Sequence, residues 1–272
     1  MNQVIRYDLF GLTNTPFVAS PPKPFLDATR EQCLQELSET LPFRSFAAIS
    51  GRSGVGKTAL VRYFTESLHM QSNRTVYMPF RQLSESDMLK SLCSRLDATP
   101  PFRKSAVVGA IQARIRELHP INVILVLDEM QNADDRILDS VRMLANDSFD
   151  NDTPFTCLML GTPEFFDRLR LAVNESLRQR ITYFRELTEV TSDQTAHYLR
   201  HCLSEAGAQQ EIFEPEAIQL IAESAGGSFR LINQIARTAM AVASAEQSTV
   251  VSLSHTREAS RRCNLPTPKR LT

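Results

Sequence analysis

Eight consecutive residues carry the strongest chemical signal in the chain: Gly51-Arg52-Ser53-Gly54-Val55-Gly56-Lys57-Thr58 fits GxxxxGK[ST] in full. The pattern has a physical reason at each position. Glycines let successive backbone N–H groups turn toward phosphate oxygens, and a helix N-terminus directly behind them favours negative charge. Lys57 has the length to reach β and γ phosphates, and the Thr58 hydroxyl is a ligand of the kind magnesium takes. Gly51, Ser53, Gly54, Val55, Gly56, Lys57, Thr58 and Ala59 are therefore expected to line a nucleotide site.

A second group follows one strand later. Residues 121–127 are nearly continuous apolar sequence and end in Asp128-Glu129, a Walker B pattern. At the carboxyl end of a buried strand, Asp128 is expected to hold the metal through water, and Glu129 to orient the water that attacks the γ phosphate. The alternative is a pair of acids that only terminates a strand. Negative charge spreads over the γ oxygens during transfer, so polar or cationic groups around them help. Thr162, before Pro163, stands where a sensor of the γ phosphate would sit, or is an ordinary turn threonine. Arg180, beside Arg178 in Leu177-Arg178-Gln179-Arg180-Ile181, is a candidate arginine finger for a neighbouring subunit, or a surface arginine. Arg230, after Gly226-Gly227-Ser228-Phe229, is a candidate to touch phosphate from a helix start.

These residues need elements that place them. Short apolar runs at 45–50, 74–78, 123–127 and 156–160 alternate with amphipathic stretches, among them 58–70 directly behind the loop. The alternation predicts an α/β fold, a parallel sheet flanked by helices. From about Ser192 only helical spacing is left, in 195–206, 215–224 and 230–243, so a small all-helical lid domain is expected to follow. The expected division is an α/β nucleotide-binding domain over 1–190, the lid over 191–254, and a flexible basic tail over 255–272. That last stretch loses apolar periodicity and carries Arg257, Arg261, Arg262, Lys269 and Arg270 against Glu258. Pro100-Pro101 with Arg103-Lys104 marks an exposed loop.

With 272 residues, 42% of them hydrophobic and 22% charged, the chain has the composition of a globular protein. A formal charge of −1 provides no overall basic field, so any contact with nucleic acid must be local. No stretch approaches the roughly 20 apolar residues that span a bilayer, and no signal peptide precedes them, which predicts a cytoplasmic protein without a membrane partner. Cys33, Cys93, Cys157, Cys202 and Cys263 are widely spaced and never form CxxC, so reduced packing residues are expected rather than disulfides or zinc ligands.

With these parts in order, the chain resembles a P-loop NTPase of the AAA+ type. The likeness is to the group that contains general secretion pathway protein A and the transposition regulators TnsC, TniB, IstB and MuB. It extends over roughly residues 7–243 and rests on Tyr7-Asp8-Leu9-Phe10-Gly11-Leu12, Pro16-Phe17, Gly161-Thr162-Pro163-Glu164, Arg178-Gln179-Arg180-Ile181, Glu205-Ala206-Gly207, and Gly226-Gly227 with Arg230-Leu231-Ile232-Asn233. Two positions depart from it: relatives often have glutamine or asparagine at Thr162 and proline at Phe229.

The resemblance implies ATP as nucleotide, Mg2+ as metal, and hydrolysis of ATP. Secretion-type members continue into a membrane span and a cell-wall-binding region that this sequence does not include, which turns the expectation toward the mobile-element branch. There it implies a homo-oligomer, ring or filament, assembled on double-stranded DNA without sequence preference, which recruits a transposase or other recombination protein and helps choose the target site. Arg103, Lys104 and Arg81 are then the candidate DNA contacts, with a solvated loop as the alternative. Two other functions stay open: a secretion-type assembly ATPase acting with a separate membrane protein, and a nucleotide-gated signalling or defence module.

Overall fold

The computed structural model describes residues 5–18, 21, 23–81, 83–146 and 153–265. Its sheet has five strands: β1 (Phe46–Ser50), β2 (Asn73–Pro79), β3 (Asn122–Asp128), β4 (Thr156–Gly161) and β5 (Ile181–Glu186). Their order is β2-β3-β4-β1-β5, and every neighbouring pair is parallel. Parallel pairing needs crossover connections. Helices α1 (Ala28–Thr40), α2 (Lys57–Glu66), α3 (Glu85–Arg95), α4 (Lys104–Glu117), α5 (Asp135–Ala145), α6 (Pro163–Leu169) and α7 (Glu175–Arg178) accompany the strands along the chain.

Strand position explains which strands were legible. β1 and β4 are buried at every residue and β3 at all but its first, so each reads as an apolar run. β5 lies at an edge and alternates between covered and open positions. Its sequence, Ile-Thr-Tyr-Phe-Arg-Glu, lacks that run, and the sequence reading does not include it. On one sheet face Phe46, Ala48, Met78, Leu125, Leu127 and Met159 join Met88, Leu92, Ile111, Leu138 and Val141 in a continuous core.

The chain forms two compact units. One comprises Ala28–Arg52 and Leu60–Leu187 and holds the sheet. The other gathers residues up to Asp27, Ser53–Ala59, and everything from Thr188 onward. Its helices are α8 (Ser192–Glu205), α9 (Pro215–Ala225), α10 (Phe229–Ala245) and α11 (Leu253–Arg262). Thr191 and Gln194 form a reciprocal cap at the start of α8, and Pro215 opens α9 where its missing N–H costs nothing. Gly226 ends α9 in the left-handed region. At Gly227 a Cβ would meet the Val190 carbonyl oxygen at 2.4 Å, so the close approach requires glycine. Phe10, Leu12 and Phe17 are buried in this unit's core with Leu199, Leu203, Ile221 and Ile235. The opening residues therefore belong with the helices.

Two expectations are corrected. His255–Arg262, expected as tail, lies in α11, where His255, Thr256, Ala259 and Ser260 are buried. Small and hydroxylated residues, rather than leucines, cover that face, which is why apolar periodicity missed it. A cap of Ser252 by His255 opens the helix. Residues 266–272, with Lys269 and Arg270, lie outside the described residues. Secondly, Arg103 is the exposed residue before α4 and Lys104 is the helix's first residue, so the exposed loop includes only the first of the basic pair. The five cysteines are free and four are buried, and no described cluster of His, Cys, Asp and Glu is arranged to hold a metal. No described helix is long and apolar enough to cross a membrane.

Candidate nucleotide site

The phosphate loop leaves the carboxyl end of β1 at Gly51 and enters α2 at Lys57. Gly54 and Gly56 have φ of 88° and 94°, the left-handed region that side chains rarely adopt. Left-handed glycines let backbone N–H groups turn toward a phosphate, and the N–H groups of the first turn of α2 follow directly in the chain. Val55 is fully buried and anchors the loop from within. This cradle and the Lys57 ammonium fit a chain of phosphates.

The start of α10 lies against the same loop. A Cβ on Gly54 would fall 2.3 Å from the Ser228 Oγ, and one on Gly56 would fall 3.3 Å from the Phe229 ring. Backbone conformation requires glycine at both positions, and the packing leaves little room for a side chain at either. Phe229 in turn packs on Tyr198 and Phe25, with ring centroids 4.5 and 6.3 Å away. So anchored, the next residue reaches the loop: Arg230 Nη1 donates to Ser53 Oγ at 2.8 Å.

The carboxylates are arranged by cross-strand contacts. Asp128 ends β3 and is 2% exposed. Its Oδ1 accepts from the Glu129 N–H at 2.8 Å and its Oδ2 from the Tyr77 hydroxyl at 2.9 Å. Tyr77 opposes Val126 in the β2–β3 ladder, so it shares a sheet face with Asp128, two residues further on. A tyrosine is long enough to span that diagonal. Burial, and then the charge of Asp128 and the hydrogen bond to it, push the Tyr77 phenol up to about 12, against a smaller opposing effect of Arg81. The hydroxyl therefore keeps its proton, and donates, at neutral pH.

Glu129 has φ of 60°, a left-handed conformation that costs a non-glycine residue about 1 kcal/mol. Such strain gathers at functional sites. It turns the chain out of β3 into the 3-10 turn Met130–Asn132, where the Gln131 side-chain amide donates to the Glu129 carboxylate. Asn132 Nδ2 donates to the Phe80 carbonyl at 3.0 Å, and the Phe80 N–H donates to the Asp128 carbonyl at 2.9 Å. The turn is thereby stitched to the end of β2.

Thr162 caps α6, directly after β4, which lies between β3 and β1. It stands at the carboxyl edge of the sheet. The Thr162 side chain first, then the backbone N–H of Glu164 itself, with Arg52 as a lesser cause, hold the Glu164 carboxyl below its ordinary value. Arg180 lies at the other edge. Its carbonyl accepts from the Phe46 N–H at 3.4 Å, its neighbour Ile181 pairs with Phe46, and its guanidinium donates to Asn146. The length of β1, roughly 15 Å for five residues, separates it from Gly51 of its own chain. Arg81 is exposed just past β2, and Arg103 is exposed at the start of α4. Sequence reading did not name Tyr77, Gln131 or the Phe229 anchor: the first depends on strand register, the others on turn and helix packing.

Residues 43–169 match the family model described as AAA domain. General secretion pathway protein A of Aeromonas hydrophila is 29% identical over 248 residues, covering 88% of this chain and 45% of that protein. The chain thus spans about half the length of this curated relative. Among solved structures, Cdc6p from Pyrobaculum aerophilum superposes with a TM-score of 0.75 at 20% identity, covering 90% of this chain and 70% of the other. The ORC1 protein of Aeropyrum pernix, solved in complex with DNA, gives 0.71 at 19% identity, covering 91% and 68%. The RuvB Holliday junction branch migration motor of Thermotoga maritima gives 0.60 at 17% identity, covering 86% and 69%. The fold is that of the AAA+ P-loop proteins. Within that fold, residues 43–169 carry the similarity to the AAA domain model, and the full phosphate-loop motif lies inside that stretch.

Proposed function

We propose that this chain is an ATP-driven assembly switch: it oligomerises with ATP bound, as a ring or filament on duplex DNA, and regulates transposition by presenting a surface to a transposase. Hydrolysis returns it to the unassembled state. The observation that carries assembly is the place of Arg180, a strand's length away from its own phosphate loop. From that edge it serves a neighbour's nucleotide or none. The DNA part is supported by the sequence resemblance and by structural neighbours whose names record DNA complexes or a DNA motor.

In this reading ATP and Mg2+ supply the transferable phosphoryl group and its counter-charge. The backbone of Gly51–Gly56 and the Lys57 ammonium would bind phosphate, the Thr58 hydroxyl would be a ligand of Mg2+, and the Asp128 carboxylate would hold the metal through water, hard oxygen donors of the type Mg2+ prefers. Ala59 contributes a backbone N–H of the first helical turn. Glu129 orients the attacking water, Thr162 senses the γ phosphate, and Arg230 ties the position of α10 to the state of the loop. Arg103, Lys104 and Arg81 contact DNA phosphates. Binding of that kind falls steeply with salt.

A second reading is favoured by the relationship to general secretion pathway protein A: an assembly ATPase that acts with a separate membrane protein. One experiment separates the two. Duplex DNA binding is measured without nucleotide, with ADP, and with a slowly hydrolysed ATP analogue, at low and physiological salt, and the same samples are imaged by negative stain. Analogue-dependent binding with rings or filaments is the expected result. ATP hydrolysis without DNA binding in any state would reject the first reading and leave the second.

A further inference from the structure

Glu129 does not stand alone after β3. The turn Met130–Asn132 that follows it brings the Gln131 side chain back onto its carboxylate, where the amide Nε2 donates to Oε2. The amide oxygen of the same side chain is buried and has no hydrogen-bond partner among the described residues. Helix α6 reaches the same turn. Its Arg168 Nη1 donates to the Gln131 carbonyl at 3.5 Å, while Arg168 Nε and Nη2 are buried and form no hydrogen bond with any described residue. Asp135 Oδ1 lies 3.6 Å from that Nε, close enough for an ion pair but too far for a hydrogen bond.

Buried polar groups are rarely left unmet, and each that is calls for a physical account. Here the unmet groups are complementary, one amide acceptor and two guanidinium donors, on residues already in contact. Facing Glu129, the Gln131 amide serves the carboxylate and leaves its own oxygen and the guanidinium unpaired. Turned toward Arg168, it pairs those two and lets Glu129 go. Each arrangement makes one charge-assisted bond and forgoes another, so hydrogen-bond count alone favours neither. The backbone beside both residues is pinned: Asn132 Nδ2 donates to the Phe80 carbonyl at 3.0 Å, and Asn174 Nδ2 to the Arg168 carbonyl at 2.9 Å. The exchange therefore needs side-chain torsions alone.

We propose that Gln131 is a positioning residue for Glu129, with Arg168 as its alternative partner. Bonded to the amide, Glu129 is held at rest by its own turn; when Gln131 passes to Arg168, the carboxylate is released to orient water. The inference rests on the reading of Glu129 as the residue that orients the attacking water. A carboxylate that already accepts from an amide has one acceptor position fewer for water, and its direction is set by the turn rather than by the nucleotide. Thr162 caps the start of α6 and Arg168 lies in its last turn, so one helix of roughly 10 Å joins the two. Nucleotide-dependent movement at Thr162 thus reaches the partner of Gln131 directly.

The test is steady-state ATP hydrolysis by the full chain without DNA, giving kcat and KM for wild type, Gln131→Leu, Arg168→Leu and the double variant, with Glu129→Gln as control. Thermal melts confirm that each folds, and Gln131→Met takes the place of Gln131→Leu if that variant does not. One hydrogen bond to a charged group corresponds to about a tenfold change in rate. Gln131→Leu should therefore raise kcat about tenfold with KM within about twofold, a gain that damage to the fold does not produce. Arg168→Leu leaves Gln131 on Glu129 and should lower kcat about tenfold. The double variant should follow Gln131→Leu, since Arg168 acts by drawing Gln131 away. An unchanged or lowered kcat in Gln131→Leu would overturn the inference, and so would a double variant as slow as Arg168→Leu. If Glu129→Gln hydrolyses ATP as wild type does, the reading of Glu129 falls instead.

Discussion

The phosphate loop and the carboxylate edge are both small groups of polar residues at strand ends, yet they are built differently. The loop is local: eight consecutive residues supply glycine conformations, a lysine and a hydroxyl, and packing by Ser228 and Phe229 adds to a shape the backbone already adopts. The carboxylate edge is assembled across strands, with Tyr77 from β2, Asp128 and Glu129 from β3 and its turn, and Thr162 after β4. A local cradle tolerates loss of its outer partners. A cross-strand arrangement is sensitive to single hydrogen bonds far apart in the chain.

The largest expected effect tests the local half. Lys57→Ala removes the one ammonium in the motif and should weaken ATP binding by about a hundredfold or more, read by equilibrium titration, since a charge-assisted bond to phosphate in a shielded site is worth about 3 kcal/mol. Retained affinity would mean that the backbone cradle alone binds. Next comes Glu129→Gln, which should keep ATP affinity within about twofold while lowering turnover by about 10² to 10⁴ and trapping assembled particles. Equal losses of binding and turnover would place Glu129 in the cradle instead.

Arg180→Ala tests whether the edge remote from the loop has a function in assembly. Its turnover should fall about tenfold or more in oligomers only. Mixing it with Glu129→Gln should restore part of the activity at hybrid interfaces, measured as ATPase against mixing ratio. No recovery at any ratio would leave Arg180 as a structural partner of Asn146. The smallest effect belongs to the contact that joins α10 to the loop. Ser53→Ala removes an exposed hydrogen bond to Arg230 worth about 0.5–1.5 kcal/mol. It should change ATP affinity by no more than about tenfold, and Arg230→Ala should cost more, because it also removes the charge.

How much was legible follows from whether the physical cause is local. Buried strands show themselves because burial on both faces demands apolar residues in succession, as in Val123–Leu127, whereas β5 with its Thr182, Arg185 and Glu186 looks like any polar stretch. Helix α11 stayed hidden for a related reason: Thr256, Ala259 and Ser260 bury a face without apolar periodicity. The glycine loop was legible residue by residue, since Gly54 and Gly56 are required by backbone conformation before any packing is considered.

The sequence by itself determined the phosphate cradle, the acidic strand end and the α/β class, because each depends on neighbours within a few residues of one another. Only the tertiary structure decided which donor orients Asp128, that Gln131 holds Glu129, and that Arg180 stands at the amino end of β1 rather than at the carboxyl end from which the loop leaves. Those follow from strand register and strand order, which are set by the burial of the whole sheet, and no short stretch of sequence contains them.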